Sequence, residues 1–193
     1  MLRPFQLDVD RAFVLVIDLQ DKLVPLVRHA KRVVAAAGKL LDGAKLFNLP
    51  VVVTEQYAKG LGHTVDPIAR RIGDRGAVAL EKATFSGWAD EPVRRAILAF
   101  DRPQAILAGI ETHVCILQMA LDLASREYEV FVCADAASSR ASIDEEHALH
   151  RMRQEGVRIT SVESVLFELC GRCDTEKFKT MLELVKTPAP RDD

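Results

Sequence analysis

Short apolar runs alternate with longer stretches of helical period along the chain, the pattern of a parallel sheet covered by helices on both faces. Six runs qualify as strands: residues 12–17 (AFVLVI), 51–54, 77–80, 104–108 (QAILA), 129–133 and 157–160. They are rich in β-branched and aliphatic side chains and too uniformly apolar to keep a wet face, so each is expected to be buried. Between them Val33, Val34, Ala37, Leu40, Leu41, Ala44 and Phe47 recur at helical steps, which gathers them on one side of a helix ended by Asn48 and Pro50. Asp90-Glu91-Pro92 sets a cap, an acid and a proline at a second helix start, with Val93, Ala96, Ile97 and Phe100 as its buried stripe. Ser142 with Glu145 has the form of a capping box, for a helix that stops at Gly156.

The class is therefore α/β. Six strands joined by helices through right-handed crossovers predict a doubly wound sheet, and the order 3-2-1-4-5-6 places a switch point between the first and fourth strands. Ligands of such sheets bind beyond the carboxyl ends of the strands. The 193 residues fit one domain, expected over 1–186, with 187–193 (TPAPRDD) as a loose tail. At 49% hydrophobic and 28% charged residues the chain can build a sizeable core and lies outside the regime of disorder. Lys and Arg total 26 against 28 Asp and Glu, so no basic excess draws the chain to nucleic acid or anionic lipid, and neither is expected as a partner. Pro4, Asp8 and Asp10 interrupt the place where a signal peptide needs an apolar stretch, and no apolar run reaches membrane-spanning length; a cytoplasmic location is expected. The four cysteines, Cys115, Cys133, Cys170 and Cys173, read as thiols rather than a disulfide framework.

Chemistry is sought where the strands end. The first runs into Asp18-Leu19-Gln20, placing a carboxylate among apolar neighbours that suit it to general-base work; the same aspartate also suits a turn cap. The third ends in Glu81-Lys82, before the loop Ala83-Thr84-Phe85-Ser86-Gly87-Trp88, and its ammonium can face the crevice or lie solvated on the surface. The fourth leads through Gly109-Ile110-Glu111-Thr112-His113-Val114 to Cys115, just ahead of the apolar-periodic Ile116, Met119, Ala120 and Leu123. Cys115 thus falls in a first helical turn, where free N–H groups and the positive dipole end favour a thiolate; the alternative is a small apolar filler behind the sheet.

These segments carry a resemblance. LVIDLQDKL, VVVTEQYAKGLG, LEKATFSGW, ILAGIETHVCILQMALDL and VFVCADAASSR are similar, in order, to the motifs of the isochorismatase-like cysteine hydrolase family, which includes nicotinamidases and N-carbamoylsarcosine amidohydrolase. The likeness runs from about Phe13 through VESVLFEL, and the TEQY and GIETHVC wording resembles the YcaC-like, isochorismatase-domain subgroup. It implies a three-layer αβα sandwich and an Asp-Lys-Cys triad on Asp18, Lys82 and Cys115. It further implies a cis peptide between Ile110 and Glu111, an oxyanion hole from the N–H groups of Glu111 and Cys115, and a pocket lined by Gln20, Tyr57, Phe85, Trp88 and Ile110. A homo-oligomer acting on a small-molecule substrate is implied as well.

Where metal-dependent nicotinamidases carry Asp-x-His and a further histidine, this chain offers only Glu55 and His63, so no metal and no other cofactor is expected. Cys170-Gly171-Arg172-Cys173 follows a helix over 163–169 instead of opening one, which argues against a redox or zinc role. His147 and His150 lack zincin spacing and are expected at the surface, and Gly60-Leu61-Gly62 lacks the rest of a dinucleotide fingerprint. The activity expected is hydrolysis of a small amide or related C–N bond through an acyl-enzyme. The alternatives are a small ester or vinyl ether in the same pocket, or a non-catalytic interaction protein that kept the fold.

Overall fold

Strands without a wet face must lie between two helical layers, and the chain arranges them so. The computed structural model describes residues 6–74 and 77–187. In chain order the elements are β1 (Ala12–Ile17), α1 (Ala30–Leu46), β2 (Val51–Gln56), α2 (Ala58–Leu61), α3 (Asp66–Gly73), β3 (Leu80–Lys82) and α4 (Glu91–Leu98). There follow β4 (Gln104–Ile110), α5 (Leu117–Ala124), β5 (Glu129–Ser138), α6 (Ser142–Gln154), β6 (Arg158–Thr160), α7 (Val162–Cys170) and α8 (Glu176–Lys186). All strand pairs are parallel, in the predicted order β3-β2-β1-β4-β5-β6. The tail expected from residue 187, past that residue, and the first five residues of the chain lie outside the described residues.

The period of two divides each central strand between two cores. From β1, Ala12, Val14 and Val16 pack toward α1, α3, α7 and α8, while Phe13, Leu15 and Ile17 pack toward α4, α5 and α6. β4 divides likewise, with Ile106, Ala108 and Ile110 on the first face and Ala105 and Leu107 on the second. All six β1 residues are buried, which is why the run reads as uniformly apolar.

Several expectations about element ends are corrected. The third strand begins at Leu80 instead of Ala77 and runs to Lys82, because its pairing is set by Thr54 to Gln56 of β2, a neighbour that itself extends two residues past the predicted end. Asp90 stands at the N-cap of α4 but makes no cap bond; its carboxylate instead accepts from the N–H groups of Ala83 and Thr84 at 3.2 and 3.1 Å, and from the Thr84 hydroxyl. No capping box forms at Ser142, the first residue of α6, because Glu145 reaches back to the Ser138 hydroxyl (3.0 Å) and the Ser139 N–H (3.2 Å) at the end of β5.

Candidate active site

Register brings four strand ends together. Ile17 lies opposite both Thr54 and Gly109, and Gln56 lies opposite Lys82, so the residues after β1 and β4 share an edge with the last residues of β2 and β3. Asp18 has φ 54, a left-handed conformation that ends β1 and releases its side chain from the strand alternation. Gly109 has φ +128, and a Cβ there would stand 2.0 Å from the Ile17 carbonyl oxygen, so only glycine lets β4 pass β1 at this point. After it the Ile110–Glu111 peptide is cis, and Thr112–Ile116 form a π-helical turn that carries Cys115 into α5.

Lys82 and Asp18 are both buried, at 2% and 0% exposure, with Lys82 Nζ 2.7 Å from Asp18 Oδ2. β3 and β1 are two strand spacings apart, about 10 Å, a gap closed jointly by the lysine stem, the aspartate side chain and the 2.7 Å contact between them. The same Nζ lies 2.6 Å from Gln56 Oε1, 3.6 Å from Cys115 Sγ, and 3.3 and 3.4 Å from the carbonyls of Thr84 and Phe85. Asp18 Oδ1 accepts from the Thr54 hydroxyl at 2.7 Å. The Cys115 thiol is pushed up to about 12, first by burial and then by the Asp18 charge and hydrogen bond, which outweigh the opposing Lys82 ammonium. Burial and the Asp18 carboxylate thus work against the thiolate that the start of a helix favours, and favour a protonated thiol beside the Lys82–Asp18 pair.

A family model for the isochorismatase domain matches residues 12–164. The chain belongs to the isochorismatase family. It is 40% identical to the secreted isochorismatase effector Isc1 of Phytophthora sojae, over 89% of this chain and 82% of that protein. It is 39% identical to isochorismatase domain-containing protein 1 of Salmo salar over 90% of this chain, and spans 60% of that relative's length. Among solved structures, the MAR1 ribonuclease of Caenorhabditis elegans superposes with TM-score 0.86 at 33% identity, covering 96% of this chain and 95% of that one. Escherichia coli YcaC, an octameric hydrolase of unknown specificity, superposes with TM-score 0.87 at 28% identity, covering 95% and 92%. Pseudomonas aeruginosa YcaC, solved with hexane-2,5-diol and covalent acrylamide, gives TM-score 0.87 at 27% identity, covering 95% and 93%.

Within this isochorismatase domain the expected pocket residues separate. Tyr57 and Phe85 stand exposed on the loops after β2 and β3. Gln20 is fully buried: its Nε2 donates to the carbonyls of Gln56 and Gly62 at 3.0 and 2.7 Å, and its Oε1 accepts from Gln56 N at 2.7 Å. Ile110 falls on the α1 face of β4, across the sheet from Cys115. Trp88 turns toward the far end of the sheet, edge-on to Tyr128 just before β5 and under the Arg126 guanidinium. Glu55 Oε2 lies 3.1 Å from His63 Nδ1, with the second Glu55 oxygen held by the Thr64 N–H and hydroxyl. His147 and His150 are exposed.

Sequence reasoning missed Thr54 and Gln56. They follow Val52 at steps of two, on the Cys115 face of β2, and the period itself was the available signal. It also missed the brace behind the π turn, where Arg140 donates from N and Nε to Glu111 Oε2 (3.1 and 3.0 Å) and Ser139 Oγ lies 2.9 Å from His113 Nδ1.

Proposed function

We propose that the chain is a cysteine-dependent hydrolase of a small amide or related C–N bond, with Asp18, Lys82 and Cys115 as its catalytic residues. The observation that carries this reading is the Lys82 ammonium, buried between the Asp18 carboxylate at 2.7 Å and the Cys115 sulfur at 3.6 Å. A thiol that holds its proton needs a base in contact with it, and Asp18 is that base. Asp18 takes the thiol proton, Lys82 stabilises the resulting thiolate, and the sulfur adds to the carbonyl carbon. The oxyanion rests on the N–H groups of Glu111 and Cys115. Asp18 then protonates the departing amine as the C–N bond breaks, leaving a thioester on Cys115. Water, deprotonated by Asp18, adds to the thioester; the acid departs and the thiol is regenerated.

The covalent acrylamide in P. aeruginosa YcaC supports the reading, since acrylamide is an electrophile that nucleophiles such as thiolates attack. The octameric E. coli YcaC supports a homo-oligomer. A ribonuclease reading by analogy with MAR1 lacks the excess positive charge that a phosphate backbone calls for, at a formal charge of -2. No helix among the described residues is long and apolar enough to cross a membrane, and we place the chain in the cytoplasm, although one relative is a secreted effector.

The test is a panel of small amides, esters and vinyl ethers assayed with wild type, Cys115→Ala and Asp18→Asn, with intact-mass detection of an acyl adduct. Amide turnover that falls on the order of 10³-fold or more in Cys115→Ala, with the adduct only in proteins that keep Cys115, is the expected result. Undiminished turnover in Cys115→Ala overturns the covalent scheme, and turnover of esters or vinyl ethers alone overturns the C–N assignment.

A further inference from the structure

We infer that the chain has a second small-molecule site, one for a small monocarboxylate with an apolar body, in a cavity bordered by Arg32. The cavity, about 630 Å³, lies among α1, α3, α7 and α8 and is walled by apolar residues such as Ala36, Val162 and Leu184. Its volume falls within the range of small-molecule sites. It belongs to the α1 face of the sheet, whereas Cys115 packs into the opposite core, so it is separate from the site above.

Of the charged groups at this cavity, most have protein partners. Arg71 Nε donates to both oxygens of Asp42 at 3.0 and 3.1 Å. Lys39 Nζ donates to the carbonyls of Val185 and Thr187 at 3.2 and 3.0 Å. Both oxygens of Asp135, in the stretch where the β4 and β5 register shifts, accept from Val162 N at 2.9 and 3.2 Å. Glu163 is exposed at the rim. Arg32, half-buried on the cavity wall, differs: its Nε has no hydrogen-bond partner among the described residues. A guanidinium keeps its charge at any physiological pH and offers donors in a planar fork, so the group that completes it is a planar acceptor anion. A carboxylate matches that fork through two parallel hydrogen bonds. Asp135 selects against higher charge: it already interacts electrostatically with Arg32, and burial raises its own proton affinity, so a dianion would meet a carboxyl that resists further negative charge. The apolar walls then call for a hydrocarbon body behind the carboxylate.

Isothermal titration of the full chain with sodium benzoate, and with benzyl alcohol as its uncharged counterpart, tests the site. Saturable one-to-one binding of benzoate is expected, weakened about tenfold or more in Arg32→Gln and again in benzyl alcohol for wild type, as loss of a charge-assisted pair requires. Ala36→Leu, which fills the cavity without touching the charge, is expected to weaken benzoate by a similar factor and keeps the test decisive if Arg32→Gln fails to fold. No saturable heat up to about 10 mM benzoate, weaker than any site worth assigning, overturns the proposal, as does unchanged affinity in both variants.

Discussion

A thiol enclosed with a carboxylate keeps its proton, and Cys115 shows the consequence: burial and Asp18 push it up to about 12 against the pull of Lys82. At pH 8 iodoacetamide is therefore expected to label exposed Cys173 well before Cys115, and Asp18→Asn, by removing a negative neighbour, is expected to speed labelling of Cys115. Peptide mass spectrometry over a pH series reads both; a Cys115 rate that Asp18→Asn leaves unchanged or lowers would show that the carboxylate does not hold the proton. Gln56 acts one step further out. Its amide oxygen accepts a hydrogen bond from Lys82 Nζ at 2.6 Å while its nitrogen donates to the Ala83 carbonyl at 2.8 Å, fixing the ammonium against the loop. Gln56→Ala is expected to lower kcat about 10- to 100-fold with little change in KM, the size of one hydrogen bond to a charged group, and to shift the pH profile of kcat. A KM effect with an unmoved pH profile would make Gln56 a purely structural residue. Asp18, Lys82 and Cys115 were legible because each is a chemically able residue at or shortly after the end of an apolar run. Gln56 and Thr54 were not, since a polar residue closing an apolar run looks like the start of a loop until its partner strand is known.

At the scale of elements, the apolar runs predicted every strand, and errors gathered where pairing or a distant partner decides the end. β3 has only three residues at the sheet edge, so its position follows from β2 and not from its own composition. Asp90 and Glu145 have side chains suited to capping, yet tertiary structure offered them other backbone donors: the loop before α4 for one, the end of β5 for the other. The close passage of β4 over β1 was invisible in sequence, although the glycine that permits it lies in plain view in LAGIE. With backbone 2.0 Å from its would-be Cβ and φ at +128, Gly109→Ala must push β4 away from Ile17. It is expected to cost ~3 kcal/mol of stability, read as a lower urea midpoint, and to move the π turn that carries Cys115, so that activity falls even under conditions where the variant is folded. A midpoint within error of wild type would show that the strand ends adjust without cost.

For the molecule as a whole, the two cores flanking one sheet confine its buried thiols, and this shapes how stability depends on pH. Cys115 and Cys133 lie on opposite faces; burial raises Cys133 well above its ordinary value near 9, with Asp135 adding to the effect, and Cys115 stands at about 12. In the unfolded chain both thiols ionise near 9, so above that pH the unfolded state binds fewer protons than the folded one and stability declines as pH rises toward 12. On the acid side the signs reverse. Glu55 and Glu129 are both raised by burial, but hydrogen bonds, from Thr64 and His63 in one case and from Gln104, Arg11 and Arg158 in the other, together with the attached positive charges, bring them below 4.5. Their contribution is present above pH 4.5 and is lost as pH falls below it. Asp135, raised above 3.8 by burial, works in the opposite sense and blunts that loss. The urea midpoint is thus expected to form a plateau between roughly pH 5 and 9 and to fall on the alkaline side by at most ~1.4 kcal/mol per pH unit for each thiol. Cys133→Ala removes one of the two thiols and is expected to make the alkaline limb shallower without moving its onset, because Cys115 still begins to matter near pH 9. An alkaline limb equally steep in Cys133→Ala and wild type would mean that Cys133 ionises alike in both states, and an absent limb would mean the same of both thiols.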